Sequence, residues 1–195
     1  MKQNKQAAFT TIGARNYSKD PRVENDYYAT DPKALELLLE KEEFHKTIWE
    51  PACGEGHLSK VLVRHGYHVY STDLVYRGYG MQSKLDFLKC DLKDFPVDII
   101  TNPPYKQATE FVEKALDVVA PGRKIAMFLR LQFLEGKRRR ALFDNYPPST
   151  VYVSSGRLRC APNGDFELAR KKMQSHSHGL SGRNNMKENR EKTRY

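Results

Sequence analysis

Hydrophobic positions along this chain follow two rhythms that alternate. Ala34, Leu35, Leu38 and Leu39 recur at helical spacing; Thr30 or Asp31 can cap that helix, and Pro32 suits its first turn. Residues 47–50 are short and β-prone. Residues 51–56 form a glycine turn, and Leu58, Val61 and Leu62 restore helical spacing over 57–65. Residues 67–72 read as a second strand ending at Asp73, and 75–84 read as a loop with Gly78 and Gly80. Residues 85–88 are a short third strand or turn, 97–101 a fourth strand and 107–119 a helix. After Pro121-Gly122, residues 124–131 predict a fifth strand, 135–145 a basic helix and 150–154 a sixth strand.

Strands that alternate with helices predict βαβ units, hence an α/β fold with a mostly parallel sheet covered on both faces. In such a sheet, ligands bind outside the carboxyl ends of the strands, at the switch point. The predicted domain spans 26–168. Residues 1–25 are polar without a sustained period and read as a mobile arm. Residues 169–195 lose periodicity and read as a disordered basic tail.

Composition changes this picture in three ways. Hydrophobic content of 39% is low for a fully packed chain of 195 residues, which fits unpacked ends. No apolar run approaches the ~20 residues of a membrane span, and Met1 to Gln6 leads into no signal-peptide core, so no membrane partner is expected. Cys53, Cys90 and Cys160 are scattered, which suits a reducing, cytoplasmic setting and argues against a disulfide framework or a zinc cluster. Net charge is +9, yet residues 170–195 carry eight Lys/Arg against two Glu. Most of the excess lies in the tail, so charge is weak support for a polyanionic substrate.

The chemistry centres on Thr101-Asn102-Pro103-Pro104-Tyr105, which leaves the fourth predicted strand. Proline removes donors and keeps Asn102 out of helical geometry. The stiff turn offers free carbonyls, a planar amide and an aromatic face. That set suits a flat group bearing an exocyclic NH2: Asn102 and Pro103 can accept its hydrogens, and Tyr105 can stack on its ring. The plain alternative is a strand-ending turn with a packed tyrosine. Glu50-Pro51-Ala52-Cys53-Gly54-Glu55-Gly56 lets a ligand approach backbone at a helix N-terminus. Asp73 follows Gly54 by 19 residues, where a carboxylate can meet a ribose diol. Asp86-Phe87 can supply an acceptor and a cover for an adenine. Either aspartate taken alone reads as a cap or a solvated turn; all of these at strand ends, in this order, point to one site.

In that order the residues resemble class I S-adenosylmethionine-dependent methyltransferases acting on amino nitrogens. The likeness is strongest to small phage- and prophage-encoded relatives of DNA N6-adenine methyltransferases, and it covers about residues 25–168. Phe133-Leu134-Glu135-Gly136-Lys137 and residues 147–153 also look like the later part of that group. The resemblance implies a Rossmann-like sheet and S-adenosyl-L-methionine as cofactor. It implies that Gly54 and Gly56, with Tyr28 and Thr30 nearby, pass the cofactor's methionine part. Glu50, Pro51 and Cys53 belong to the same turn; Asp73 would hold the ribose, and Asp86 with Phe87 the adenine. Asn102, Pro103, Pro104 and Tyr105 would hold a flipped base. Relatives with the same motif modify RNA bases or a protein glutamine, so those acceptors stay open, as does a catalytically inactive nucleic-acid-binding protein.

Lys137, Arg138, Arg139 and Arg140 can track phosphates beside the rim or form a solvated helix face. His176 and His178 lack spaced partners, so no metal is expected. The family pattern carries a last, aromatic-rich antiparallel strand where this chain has its basic tail, so that strand is expected to be missing. Permitted codons from Ser175 onward, read in a shifted frame, can encode such a strand with two tryptophans. The tail is therefore read as a frameshift product near 173–176, with a genuine basic tail as the alternative.

Overall fold

The computed structural model describes residues 28–155, 158 and 160–162. The arm 1–25 and the tail 169–195, with its frameshift reading, lie outside the described residues. In chain order the elements are β1 (Tyr28–Thr30), α1 (Pro32–Leu39), β2 (Thr47–Glu50), α2 (His57–Arg64), β3 (His68–Ser71), β4 (Asp98–Thr101), α3 (Ala108–Val118), β5 (Ile125–Met127), α4 (Arg140–Asn145) and β6 (Cys160–Pro162).

Four strands form one parallel sheet in the order β3-β2-β4-β5. The chain is thus α/β, as its alternating rhythms predict. Successive strand residues point to opposite faces, and both faces are apolar here. Ile48 and Ile100 pack with Leu35, Leu58, Val61 and Leu62 beneath α1 and α2. Trp49 and Ile99 pack with Phe87, Phe111, Ala115 and Val118 beneath α3. Trp49 meets Phe87 edge to face with ring centroids 5.1 Å apart, and its indole N–H donates to Thr72 Oγ1 at 2.8 Å. At the opposite end of the sheet, buried Asp98 accepts from the His45 N–H at 2.6 Å and the Lys124 N–H at 2.9 Å. This carboxylate ties the entries of two strands together, satisfying amides that burial would otherwise penalise.

The parallel order runs from β2 outward to β3, then returns across β2 to β4. The boundary between β2 and β4 is therefore the switch point, and the loops leaving both strands flank a crevice there. Asp31 caps α1 as expected, its side chain accepting from the Lys33 N–H at 3.1 Å.

Of the strand or turn expected over 85–88, the chain takes the turn: Phe87–Lys89 is a 3-10 turn, because the Asp86 side chain accepts from the Leu88 N–H at 3.1 Å and offers the backbone a local partner. Two expectations are corrected. Residues 150–154 form no strand; Val151, Tyr152 and Val153 are exposed, and the Tyr152 hydroxyl donates to Glu42 Oε1 at 2.8 Å. The long basic helix over 135–145 is shorter, a 3-10 turn at Lys137–Arg139 followed by α4. In addition, Tyr28–Thr30 pairs antiparallel with Cys160–Pro162 as a separate two-stranded ribbon, where the sequence reads only as a prelude to α1.

Candidate functional site

The crevice at the switch point is a cleft of about 420 Å³, within the range of small-molecule sites. Residues from four separate loops reach it. Glu50, Pro51 and Cys53 arrive from the end of β2, Asp73 from the end of β3, Asp86 and Phe87 from the 3-10 turn, and Asn102 to Tyr105 from the end of β4. Thr30 lines it from the ribbon. Eleven of the expected site residues thus share one cleft. Gly54 and Gly56 are not among its lining residues, nor are Lys137 to Arg140. The side chain of Tyr28 lies outside what is described.

The glycine-turn side is cross-linked. Asp73 Oδ2 accepts from the Gly54 N–H at 2.8 Å, and Oδ1 accepts from the Val75 N–H at 2.9 Å. One carboxylate therefore joins the ends of neighbouring strands and retains lone pairs for a hydroxyl partner. Glu50 is 2% exposed and bonds the Ser59 hydroxyl, which lies 2.6 Å from the Ser71 hydroxyl. Burial, opposed by the Ser59 hydrogen bonds and reinforced by nearby Asp73, pushes the Glu50 carboxyl up to about 8. Burial also raises the Cys53 thiol to about 12, which leaves it an inert packing group rather than a nucleophile.

Gly56 caps α2 with φ +76°, and the positive φ favours glycine. Its second reason is a neighbour. A Cβ at Gly56 would lie 2.2–2.5 Å from ring atoms of Tyr79. The glycine makes room for a tyrosine of its own chain. Lys60 Nζ lies 5.0 Å from the centre of that ring. Gly80 passes so close to the Ser71 carbonyl that a Cβ would come within 2.5 Å, while the Met81 N–H donates to the same carbonyl at 2.9 Å. The loop 74–84, featureless in sequence, is a strap over the glycine turn.

Asp86 does what an isolated aspartate most simply does: it caps a turn, and it pairs with Lys89 Nζ at 3.1 Å. Phe87 is 2% exposed and belongs first to the core, with Phe111 5.0 Å away by ring centres. Asn102 and Tyr105 occupy the other bank. Pro104 is extended, and Tyr105–Gln107 turns as a 3-10 helix into α3. The Arg130 guanidinium lies over the Tyr105 ring, 4.1 Å from its centre.

The basic run divides. Arg139 turns inward and donates to the carbonyls of Phe133 (2.5 Å), Gln132 (2.9 Å) and Glu135, with its guanidinium 4.8 Å from the Phe133 ring centre. Arg140 pairs with Asp144 at 3.3 Å on the surface. Lys137 and Arg138 are exposed.

Four lining residues carry chemistry that the sequence reading passed over: His57, Arg77, Lys89 and Lys106. Burial lowers the His57 imidazole, keeping it neutral more readily at the start of α2. Its position directly after the glycine turn was the available signal. Arg77 and Lys106 had none, because their loops lack periodicity. Among the described residues no group of three His, Cys, Asp or Glu could hold a metal ion, and no helix is long and apolar enough to cross a membrane. No protein-family model matches the chain, and no curated protein matches it.

Proposed function

We propose that the chain is an S-adenosyl-L-methionine-dependent methyltransferase with a Rossmann-like class I fold, and that its acceptor is an exocyclic amine, adenine N6 in DNA. The observation that carries this reading is the meeting of two unlike banks on one cleft. A carboxylate-bearing glycine turn faces a stiff Asn102-Pro103-Pro104-Tyr105 turn across the β2–β4 switch point. The donor set fits the cofactor: Asp73 and Asp86 line the cleft as carboxylates for a nucleoside carrying sulfonium and ammonium charges, and the buried Glu50 carboxyl lines it as a hydrogen-bonding group. Asp73 would hold the ribose, the Asp86-Phe87 turn the adenine, and Glu50 with Thr30 and Pro51 to Cys53 the amino-acid end.

Bound there, the cofactor supplies a methyl that carries its own leaving group. The chain's part is orientation and electrostatics. The Asn102 side-chain oxygen and the Pro103 carbonyl accept the two hydrogens of the amine. Drawn towards two acceptors, the hydrogens leave the plane of the ring, and the nitrogen lone pair localises into the cleft. Tyr105 stacks on the base and fixes its plane. The Cys53 thiol takes no part.

The test is transfer of labelled methyl from S-adenosylmethionine to DNA, RNA and protein acceptors in parallel. Wild-type chain should label DNA adenine, and Asn102→Ala should lower kcat by about 10²–10³. Label only on RNA or protein would replace the acceptor. Absence of label on every acceptor would overturn the enzyme reading in favour of a binding protein.

A further inference from the structure

Arg130 lies just beyond the end of β5, on the same rim as Asn102, because the Phe128 N–H donates to the Thr101 carbonyl at 3.0 Å and keeps the two chains in step. Its guanidinium stacks on Tyr105 at 4.1 Å, well inside the ~6 Å limit of a cation–π contact. Tyr105 lines the cleft and Arg130 does not. The arginine itself is exposed. Among the described residues no carboxylate forms an ion pair with it. A guanidinium stacked on a ring still presents its N–H donors along its edge, in the fork that matches a phosphate. The segment that follows is held by Arg139 through three carbonyls, so Arg130 projects from a braced loop.

We propose that Arg130 is a specificity-determining residue that selects an anionic polynucleotide acceptor: stacked on Tyr105, it takes the backbone phosphate beside the base that enters the cleft. The proposal rests on the methyl-transfer reading for the identity of that base. It separates a polynucleotide from a neutral glutamine side chain, which offers the same amide but no phosphate. It also moves the phosphate contact from Arg139 and Arg140, both engaged within the chain, to a residue beside the aromatic platform.

The experiment is fluorescence anisotropy of a labelled, adenine-containing oligonucleotide with the full chain over a series of salt concentrations, alongside S-adenosylmethionine binding. Arg130→Ala should weaken oligonucleotide binding about tenfold and lower the slope of log affinity against log salt by about one. Arg130→Lys should keep the slope while losing part of the affinity, and cofactor binding should be unchanged in both. Wild-type affinity and slope in Arg130→Ala would overturn the proposal, as would a wild-type chain that binds no oligonucleotide. So would parallel loss of cofactor binding and thermal stability, which marks a structural role. A wild-type chain that binds oligonucleotide with the Arg130-dependent slope but transfers no methyl would sink the enzyme reading and leave the phosphate contact standing.

Discussion

The two banks of the cleft are built by opposite means. On the glycine-turn bank, side chains bind the ends of adjacent strands to one another: Asp73 to Gly54 and Val75, Glu50 to Ser59, and Ser59 to Ser71. The ties cross the sheet and lie in or near the core. On the Asn102–Tyr105 bank, rigidity comes from two prolines and from cations on rings, Arg130 on Tyr105 and Arg139 on Phe133. Its outer loop exposes Leu131 and Leu134. A buried, cross-linked bank suits a ligand of fixed shape. A half-buried bank with an exposed outer loop, held by stacking, suits a large acceptor that must arrive from solvent. Stability should therefore depend on the first bank, and acceptor choice on the second.

The largest stability effect should come from Gly56→Ala. The left-handed backbone alone costs about 1–2 kcal/mol for a residue with Cβ, and the Tyr79 ring occupies the new atom's place. A loss of at least about 2 kcal/mol is expected in urea unfolding. Adding Tyr79→Ala should relieve the steric part and leave the backbone part. A loss below about 0.5 kcal/mol would mean that the strap does not lie over the turn.

Next comes Glu50, whose carboxyl rises in the fold from an ordinary 4.5 to about 8 through burial, with Asp73 adding to the rise and Ser59 opposing it. A raised folded value means that the native state holds the proton more tightly. Its contribution is full below about 4.5, declines as pH rises, and is lost once pH passes about 8. Glu50→Gln should flatten the stability profile over that window while preserving hydrogen bonding to Ser59. Parallel profiles for the two proteins would show that this carboxyl does not carry the proton in the fold.

The smallest effects separate the basic run. Arg139→Ala removes donors to three carbonyls and should cost about 1 kcal/mol or more. Arg140→Ala breaks one exposed pair and should cost about 0.5 kcal/mol or less. Equal melting temperatures for the two variants would remove the distinction between an inward brace and a surface cation.

Much of this was legible because the parallel sheet is coded locally. The Leu35-Leu38-Leu39 stripe, the Leu58-Val61-Leu62 stripe and the apolar 97–101 run each reveal an element without knowledge of the rest, and their order brings the strand ends together. Legibility failed where a distant or competing partner decides. The Asp86 side chain captured a backbone amide and decided a stretch that reads equally as strand or turn. Val151 to Val153 have strand-forming side chains but pair with no strand among the described residues. Tyr28 to Thr30 pair with residues some 130 positions away, which no local pattern encodes. Gly56 was readable as a turn glycine, but its reason, Tyr79, lies in a loop without period. Likewise four adjacent cations gave no hint that Arg139 points inward.

The central claim is that the two banks serve separate partners, and one comparison tests it most directly: S-adenosylmethionine binding and methyl transfer measured on the same Asn102→Ala sample. Cofactor affinity equal to wild type, with transfer to DNA adenine lost, is the predicted result. Wild-type transfer by that variant, or loss of cofactor binding together with transfer, would contradict the division of the cleft.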